Sequence, residues 1–364
     1  MRPEPLSGEK GASQALRPRH VLIARTDHLG DMLLTLPVVQ ALKGAFPECR
    51  VTVLASAANA EAARHHPDVD AVVIDPLEAK GSRLRGVRGL ARQVRGLGCD
   101  AAVVVHPTPR LALAVWLARV PIRVGTAYRA YSPLFNRRVR QHRRRPPWKH
   151  ETAYNLDLLR PLGVRAAGIA PVTWRVDAEE SAAVDRLLDG VGLRRADIVA
   201  IHPGNAGSAL NWSPARYAEL GRLLATDHRR VVITGSDGER RLTAEVAAAV
   251  GAGAIDLGGQ LALPQLAALF ARCTLYIGSA TGPTHLAAAV GVPVVALYSP
   301  LRSSAPVRWR PLGQRVRVLQ PAVDLMCPKC TGARCAYYHC MERHLSVDAV
   351  ERAARELIGV GALH

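Results

Sequence analysis

Short apolar runs rich in Val, Ile, Leu and Ala recur along both halves of the chain, each followed by a loop and most by a helical pattern. Strands that are separated by helices return in the same direction, so such alternation builds parallel sheets with helices on their faces. In the first half the pattern predicts strands at His20–Ala24, Arg50–Leu54, Ala71–Ile74, Ala101–Val105 and near Ile122–Val124. In the second half it predicts them at Ile198–His202, Arg230–Thr234, Ala254–Leu257, Thr274–Ile277 and Val294–Leu297. Pro near the first turn marks three helix starts, at Ser213-Pro214, at Pro264 and at Pro283. A basic run at 136–150, "NRRVRQHRRRPPWKH", interrupts the rhythm, and its charge and Pro pair predict a surface loop. A helix over about Thr152–Leu162 and a Gly/Pro-bearing link, "GVRAAGIAPV", then join the halves. The expected fold class is α/β, with two Rossmann-like domains facing across a cleft. Their expected bounds are 19–170 and 171–325, after a disordered lead-in at 1–18 and before a Cys cluster and C-terminal helix at 326–364.

The composition agrees with two globular domains: 364 residues, 49% hydrophobic and 21% charged, are enough for two sizeable cores. The formal net charge of +18 attracts polyanions, whether nucleic acid, anionic lipid or a nucleotide substrate. No run approaches the roughly 20 apolar residues of a membrane-spanning helix, and the first 18 residues carry no apolar stretch of the signal-peptide kind. A cytoplasmic protein is expected. The cysteines agree, because Cys49, Cys99 and Cys273 are scattered while the other four crowd together, unlike a disulfide framework.

Ligands of open α/β sheets bind beyond the carboxyl ends of the strands, so the loops after strands carry the candidate site. "HPGNAGSALNW" offers Gly204, Asn205, Gly207 and Ser208, small residues whose backbone amides can approach an anion. "GSATGPTHLAAAVG" places Ser279, Thr281 and Gly282 before a helix whose free N–H groups suit a diphosphate. Either loop alone could be a plain strand-to-helix turn. Together on one sheet they favour a nucleotide. Near the N-terminus, "LIARTDHLGDMLLTLPVVQALK" passes from strand to helix through a polar turn with two acids, Asp27 and Asp31. Taken alone, an acid just after Gly at a helix start is more often a cap or a dipole partner than a proton acceptor.

Three stretches, "RTDHLGDMLLTLPVVQALK", "HPGNAGSALNWSPARYAEL" and "GSATGPTHLAAAVGVPVVALYSP", resemble glycosyltransferase family 9, the bacterial lipopolysaccharide heptosyltransferases, in order and spacing over about residues 19 to 300. The resemblance implies a GT-B fold with an N-terminal acceptor domain, a C-terminal nucleotide-sugar domain and transfer with inversion. It implies a donor such as ADP-heptose, an anionic inner-core glycolipid acceptor, and peripheral contact with the inner face of the cytoplasmic membrane. Asp31 matches the family's Gly-Asp pair, whose acid is the general base toward the acceptor hydroxyl. A carboxylate about 3 Å from that oxygen can take its proton as the glycosidic bond forms. Asp27 is then a structural acid. Two positions depart from the family pattern. Leu210 stands where a basic residue is common two positions before Trp212, leaving Asn211, Ser208 or another cation to serve the donor phosphates, and Ala280 stands where Asp is common. His285, on the first turn of its helix, faces the diphosphate or packs against the sheet. No cofactor is expected for catalysis.

The last signal is "CPKCTGARCAYYHCM", where Cys327, Cys330, Cys335 and Cys340 have the C-x2-C-x4-C-x4-C spacing of a zinc knuckle with Cys in place of His. Four thiolates so close together suit a tetrahedral, structural Zn; reduced, unmetallated thiols are the alternative. Knuckles bind single-stranded nucleic acid, so a nucleic-acid-binding protein is a second functional reading. The aromatic content of 4% argues against it, because stacking platforms need rings. A dehydrogenase is disfavoured, since no strand is followed by GxGxxG. The basic stretches "RLRGVRGLARQVRG" and "RRVRQHRRR" lie in the acceptor half, where they either meet an anionic leaflet or form a solvated face.

Overall fold

The computed structural model describes residues 17–361 except 77–82, 144, 145, 147, 194–196, 206, 208, 324–326, 332 and 333. Most of the expected lead-in therefore lies outside the described residues. Two six-stranded parallel sheets follow one another along the chain. The first contains β1 (His20–Ala24), β2 (Arg50–Ala55), β3 (Ala71–Ile74), β4 (Ala101–Val104), β5 (Ile122–Thr126) and β6 (Arg137–Val139), in the order β3-β2-β1-β4-β5-β6. The second contains β7 (Asp197–His202), β8 (Arg229–Ile233), β9 (Ala254–Asp256), β10 (Leu275–Ser279), β11 (Val294–Leu297) and β12 (Val316–Leu319), in the order β12-β11-β10-β7-β8-β9. Counted from its own first strand, each sheet has the doubly wound order 3-2-1-4-5-6, so each has a crevice where the winding reverses, between β1 and β4 and between β7 and β10.

Helices cover both faces of these sheets, which explains why the central strands are apolar on successive residues instead of alternating. Val21, Leu22, Ile23 and Ala24 of β1 are all fully buried, as are Val294, Val295, Ala296 and Leu297 of β11. The edges are different. Expected as a loop, the 136–150 run contributes β6 at the edge of the first sheet, pairing Val124 with Arg137. Charged side chains fit an edge because they discourage pairing with another chain. In the second sheet, the edge strand β12 comes from a stretch with no predicted element. The helix expected over Thr152–Leu162 is divided into an α-helix, Glu151–Asp157, and a 3-10 turn, Arg160–Leu162. Pro161 explains the division, as its ring denies the helix interior a hydrogen bond.

The halves share one apolar cluster. Val38 and Leu42 from the first half belong to the same core as Leu286, Phe270 and Tyr298 from the second. Helix Leu29–Leu33 packs against helix Gly282–Ala289, and His65 stacks on Trp174 at 4.7 Å. The C-terminal helix, Val347–Gly361, buries Val350 and Ala354 in the core around Tyr217 and Val231 and lies against β10 and β11. It is therefore built into the second half.

Candidate active site

The polar turn after β1 is pinned before it reaches the helix. The Arg25 amide donates to Leu54 O at 3.0 Å, and Asn59 Nδ2 donates to Asp27 O at 3.0 Å. Helix Leu29–Leu33 then starts with His28 as N-cap, with no side-chain capping bond. Asp31 is the third residue of that helix, yet its carboxylate caps no amide. Oδ1 accepts from Arg25 Nη2, and Oδ2 lies 3.7 Å from His28 Nδ1. Between capping and facing the cleft, the geometry favours the second.

Arg25 is 2% exposed and is the hub of a buried charge network. Its Nε donates to Asp27 Oδ1 at 2.6 Å and its Nη2 to Asp27 Oδ2 at 2.8 Å. Its Nη1 lies 3.7 Å from Glu151 Oε1. Glu151, 1% exposed, accepts from Arg143 Nη1 at 2.5 Å and from Arg308 Nε at 2.9 Å. Arg308 belongs to the second half, so this carboxylate ties the two halves together directly behind Asp31. Burial alone would raise the pKa of Glu151, but Arg143, Arg308 and Arg25 hold it below the usual carboxylate value. For Asp31 burial prevails: its pKa is pushed up to about 6, with Arg25 opposing and the charges of Asp27 and Glu151 reinforcing the rise. Asp27, His28 and Asp31 bring ligand atoms within 4.8 Å of one another, but Arg25 already bonds both carboxylates.

A cleft runs from this turn to the carboxyl ends of β7, β8 and β10, lined by Asp31, Asn205, Thr281, Gly282 and His285 among others. Gly204, which precedes Asn205, sits against Glu239: a Cβ there would lie 2.2 Å from Glu239 Oε1. Asn205 shapes its loop, donating from Nδ2 to Ala209 O at 2.6 Å and accepting from the Gly207 amide at 3.0 Å. Three expected donor residues are placed differently. Ser208 lies outside the described residues. Ser279 is fully buried at the end of β10, and its carbonyl accepts from Thr284 Oγ1, so it supports the loop from behind. Asn211 donates to Pro203 O at 2.7 Å and accepts from the Trp212 amide at 2.9 Å and the Tyr217 hydroxyl at 2.7 Å. It closes the base of the loop and faces away from the cleft. Leu210 packs into the core of the second half.

His285 reaches the cleft, but burial drives its pKa down to about 3, and nearby His150 adds to the effect. It is a neutral ring packed against Gly30, where a Cβ would meet its Cδ2 at 2.9 Å. Residues not foreseen from sequence also line the cleft: Ser236 and Glu239 after β8, His202, and Ser303 and Ser304 after β11. Ser236 and Glu239 form a capping box, with the Ser236 amide 2.9 Å from Glu239 Oε2. The pattern Ser-x-x-Glu was available as a signal. Arg25 and Glu151 left no local signature, because their partners are distant in sequence. Among the described residues lining this cleft, none is Lys or Arg. A second cavity opens beside Asp27, at the carboxyl ends of β4 and β5, lined by His106, Arg129, His142 and Arg143. His106 Nδ1 lies 3.5 Å from Asp27 Oδ2.

Residues 87–340 match the model of glycosyltransferase family 9 (heptosyltransferase). The chain belongs to that family. It is a glycosyltransferase, and the paired doubly wound sheets are its GT-B fold. The family member is 26% identical over 310 residues to lipopolysaccharide heptosyltransferase 2 of Salmonella typhimurium, covering 82% of this chain and 87% of that protein. Its fold is similar to that of a family 9 glycosyl transferase from Veillonella parvula, with a TM-score of 0.82, 21% identity, and coverage of 95% of this chain and 99% of the other. It is also similar to that of E. coli ADP-heptose lps heptosyltransferase II, with a TM-score of 0.77, 21% identity, and coverage of 94% and 99%. The dehydrogenase and nucleic-acid readings find no support in these relatives.

Proposed function

We propose that this family 9 enzyme transfers a heptose or closely related sugar, with inversion, from ADP-heptose to an anionic inner-core glycolipid, and that Asp31 is the base. The observation that carries the reading is the position of Asp31: a carboxylate with pKa raised to about 6, on the cleft opposite the Thr281-Gly282 helix start. A base is most effective when its pKa approaches the working pH, and an unperturbed Asp at about 3.9 would be a weak one. In the proposed step the acceptor oxygen forms a bond to the anomeric carbon while the bond to the diphosphate breaks. Asp31 takes the hydroxyl proton, and the diphosphate leaves with the bonding electrons. The amides of Gly204 and Asn205 and those of the helix beginning at Gly282 receive the growing charge on the diphosphate. The cleft's lack of Lys and Arg among the described residues gives those amides and the neutral donors Thr281, Ser303 and Ser304 the main share of this work. Glu239, after the second strand of its sheet, stands where an acid of a doubly wound domain reads ribose hydroxyls.

The acceptor would enter over the cavity lined by His106, Arg129, His142 and Arg143, whose cations suit phosphate or carboxylate groups of a lipid-linked core. Among the described residues no helix is long and apolar enough to cross a membrane, so such an acceptor would be met by peripheral contact at the cytoplasmic leaflet. Arg88, Arg92 and Arg95, exposed on helix Arg83–Gly96, and Arg137, Arg138 and Arg140 near the sheet edge supply the basic surface. The homologous enzyme named for ADP-heptose and lipopolysaccharide supports the same substrate classes. Thermal stabilisation by a panel of nucleotides tests the donor half of the proposal, since ligands of the native state raise its melting temperature. ADP and ADP-heptose should stabilise strongly and NAD weakly; stabilisation by NAD but not ADP would overturn it.

A further inference from the structure

The four clustered cysteines lie outside the cleft and around a cavity of their own. Cys327, Cys330, Cys335 and Cys340 all line it, together with Leu210 and Pro300. Those last two residues come from the loops after β7 and β11, the loops that also send Asn205, Ser303 and Ser304 into the cleft. We propose that Cys327, Cys330, Cys335 and Cys340 bind one zinc ion as a tetrathiolate, a structural centre that fastens the 327–340 segment against these two donor-side loops.

The backbone already makes half of this connection. The Cys327 amide donates to Pro300 O at 2.8 Å, and the Arg302 amide donates to Cys327 O at 2.8 Å, which locks the first cysteine to the loop after β11. At the other end of the segment Trp212 Nε1 donates to Met341 O at 2.9 Å and to Leu345 O at 3.1 Å. Glu342 Oε1 accepts from the Ser213 amide at 2.5 Å, and Arg216 Nη2 donates to Glu342 O at 2.8 Å. These bonds hold the end of the loop after β7. Between the two anchors, His339 is in the left-handed region, with φ of +57°, one residue before Cys340. A non-glycine residue in that conformation needs its surroundings to hold it there.

No three cysteine sulfurs lie within 4.8 Å of one another. A tetrahedral site with Zn–S near 2.3 Å separates its sulfurs by about 3.8 Å, so binding requires the sulfurs to draw together. Cys330 is exposed, Cys327 and Cys335 are half-buried, and Cys340 is buried at a helix start. The three less buried cysteines would be the ones to turn toward Cys340 across the cavity they share. Lys329, which also lines the cavity, would offset part of the excess negative charge of four thiolates around a divalent ion. With four protein ligands no position remains open for substrate, so the ion acts on stability and loop placement and not on the chemical step.

Metal analysis of the full chain, purified without chelator or added metal, tests the site directly. About one zinc per chain is expected, with the four clustered thiols unreactive until the metal is removed. Cys49, Cys99 and Cys273 are buried, so reactive thiols in the native protein would report on the cluster. No metal together with freely titrating thiols, or two disulfides in the cluster found by mass spectrometry, would overturn the site. Cys330→Ser, at the exposed ligand, should lose the zinc, melt at lower temperature and bind ADP several-fold more weakly. If that variant does not fold, the zinc content and thiol reactivity of the native protein still decide. The affinity arm rests on the nucleotide reading, whereas the metal-content arm stands whatever the donor. Unchanged ADP affinity in folded, zinc-free Cys330→Ser, when ADP binds the native protein, would overturn the bracing role.

Discussion

Asp31 is surrounded by charge, yet it is the residue of its network best able to exchange a proton. Asp27 is held by two bonds from Arg25, and Glu151 accepts from Arg143 and Arg308 while Arg25 lies close by, so both have cations arranged around them. Asp31 receives one bond from Arg25 and faces the cleft. Asp31→Asn should therefore lower kcat by about 10²–10⁴-fold while leaving ADP affinity intact, which steady-state rates and calorimetry would check. The stability effect has the opposite sign to that of an ordinary ion-pair deletion. A carboxyl whose folded pKa is raised contributes stability below the normal carboxylate range and loses it as pH rises through about 6. At pH 8 the Asn variant should thus melt no lower than the native protein. The same ionisation predicts that kcat/KM climbs with pH through about 6. Because the charge of Glu151 helps to raise Asp31, Glu151→Gln should move that limb to lower pH, a readout that a purely structural role would not shift. The variant should also lose about 3 kcal/mol of stability, since its arginines would be left buried with a poorer partner. Of this network only the acids of the turn were legible in the sequence. Burial and partners 120 residues away decide the rest.

At the scale of elements, the two helices that meet across the domains decide how near the base comes to the donor loop. Gly30 and Gly282 allow that approach: a Cβ on Gly30 would meet His285 at 2.9 Å, and one on Gly282 would meet Leu29 at 3.1 Å. The glycine before the acid and the glycine of the donor loop looked like parts of two separate motifs, and the fold puts them in one contact. Gly30→Ala should lower turnover by at least tenfold with the fold intact. Adding His285→Ala should restore part of the loss, because neighbouring substitutions that share one clash are not additive. Simple additivity in that double-mutant cycle would show that the contact does not set the geometry. Parallel strands and Pro-marked helix starts were readable because each is a local pattern. The edge strand Arg137–Val139 was not, as its three residues read as a charged loop until β5 lies beside them. Asn211 and Ser279 were read as ligand contacts from their chemistry, but the Asn211 side chain satisfies the backbone of its own loop, and Ser279 is buried at the end of β10, where the Thr284 hydroxyl bonds its carbonyl.

Taken as a whole, the molecule joins two sheets of the same winding order through a shared core and through the Glu151–Arg308 pair. The family's sequence pattern anticipated that architecture because the order of its motifs follows the order of the strands. The net charge of +18 also belongs to this scale. Arginines near an anionic surface each contribute about 1 kcal/mol, an effect that salt screens. The enzyme should co-sediment with vesicles containing phosphatidylglycerol at low salt, release at high salt, and leave neutral vesicles unbound. Replacing Arg88, Arg92 and Arg95 together with Gln should weaken that binding. The most direct measurement remains a transfer reaction with ADP-heptose and a heptose-deficient, phosphorylated inner-core glycolipid, followed by mass spectrometry of the acceptor. The native enzyme should add one heptose per acceptor and release one ADP, and Asp31→Asn should bind ADP normally while transferring at least a hundredfold more slowly. Transfer by the variant at the native rate, or no transfer by a native enzyme that binds both substrates, would contradict it.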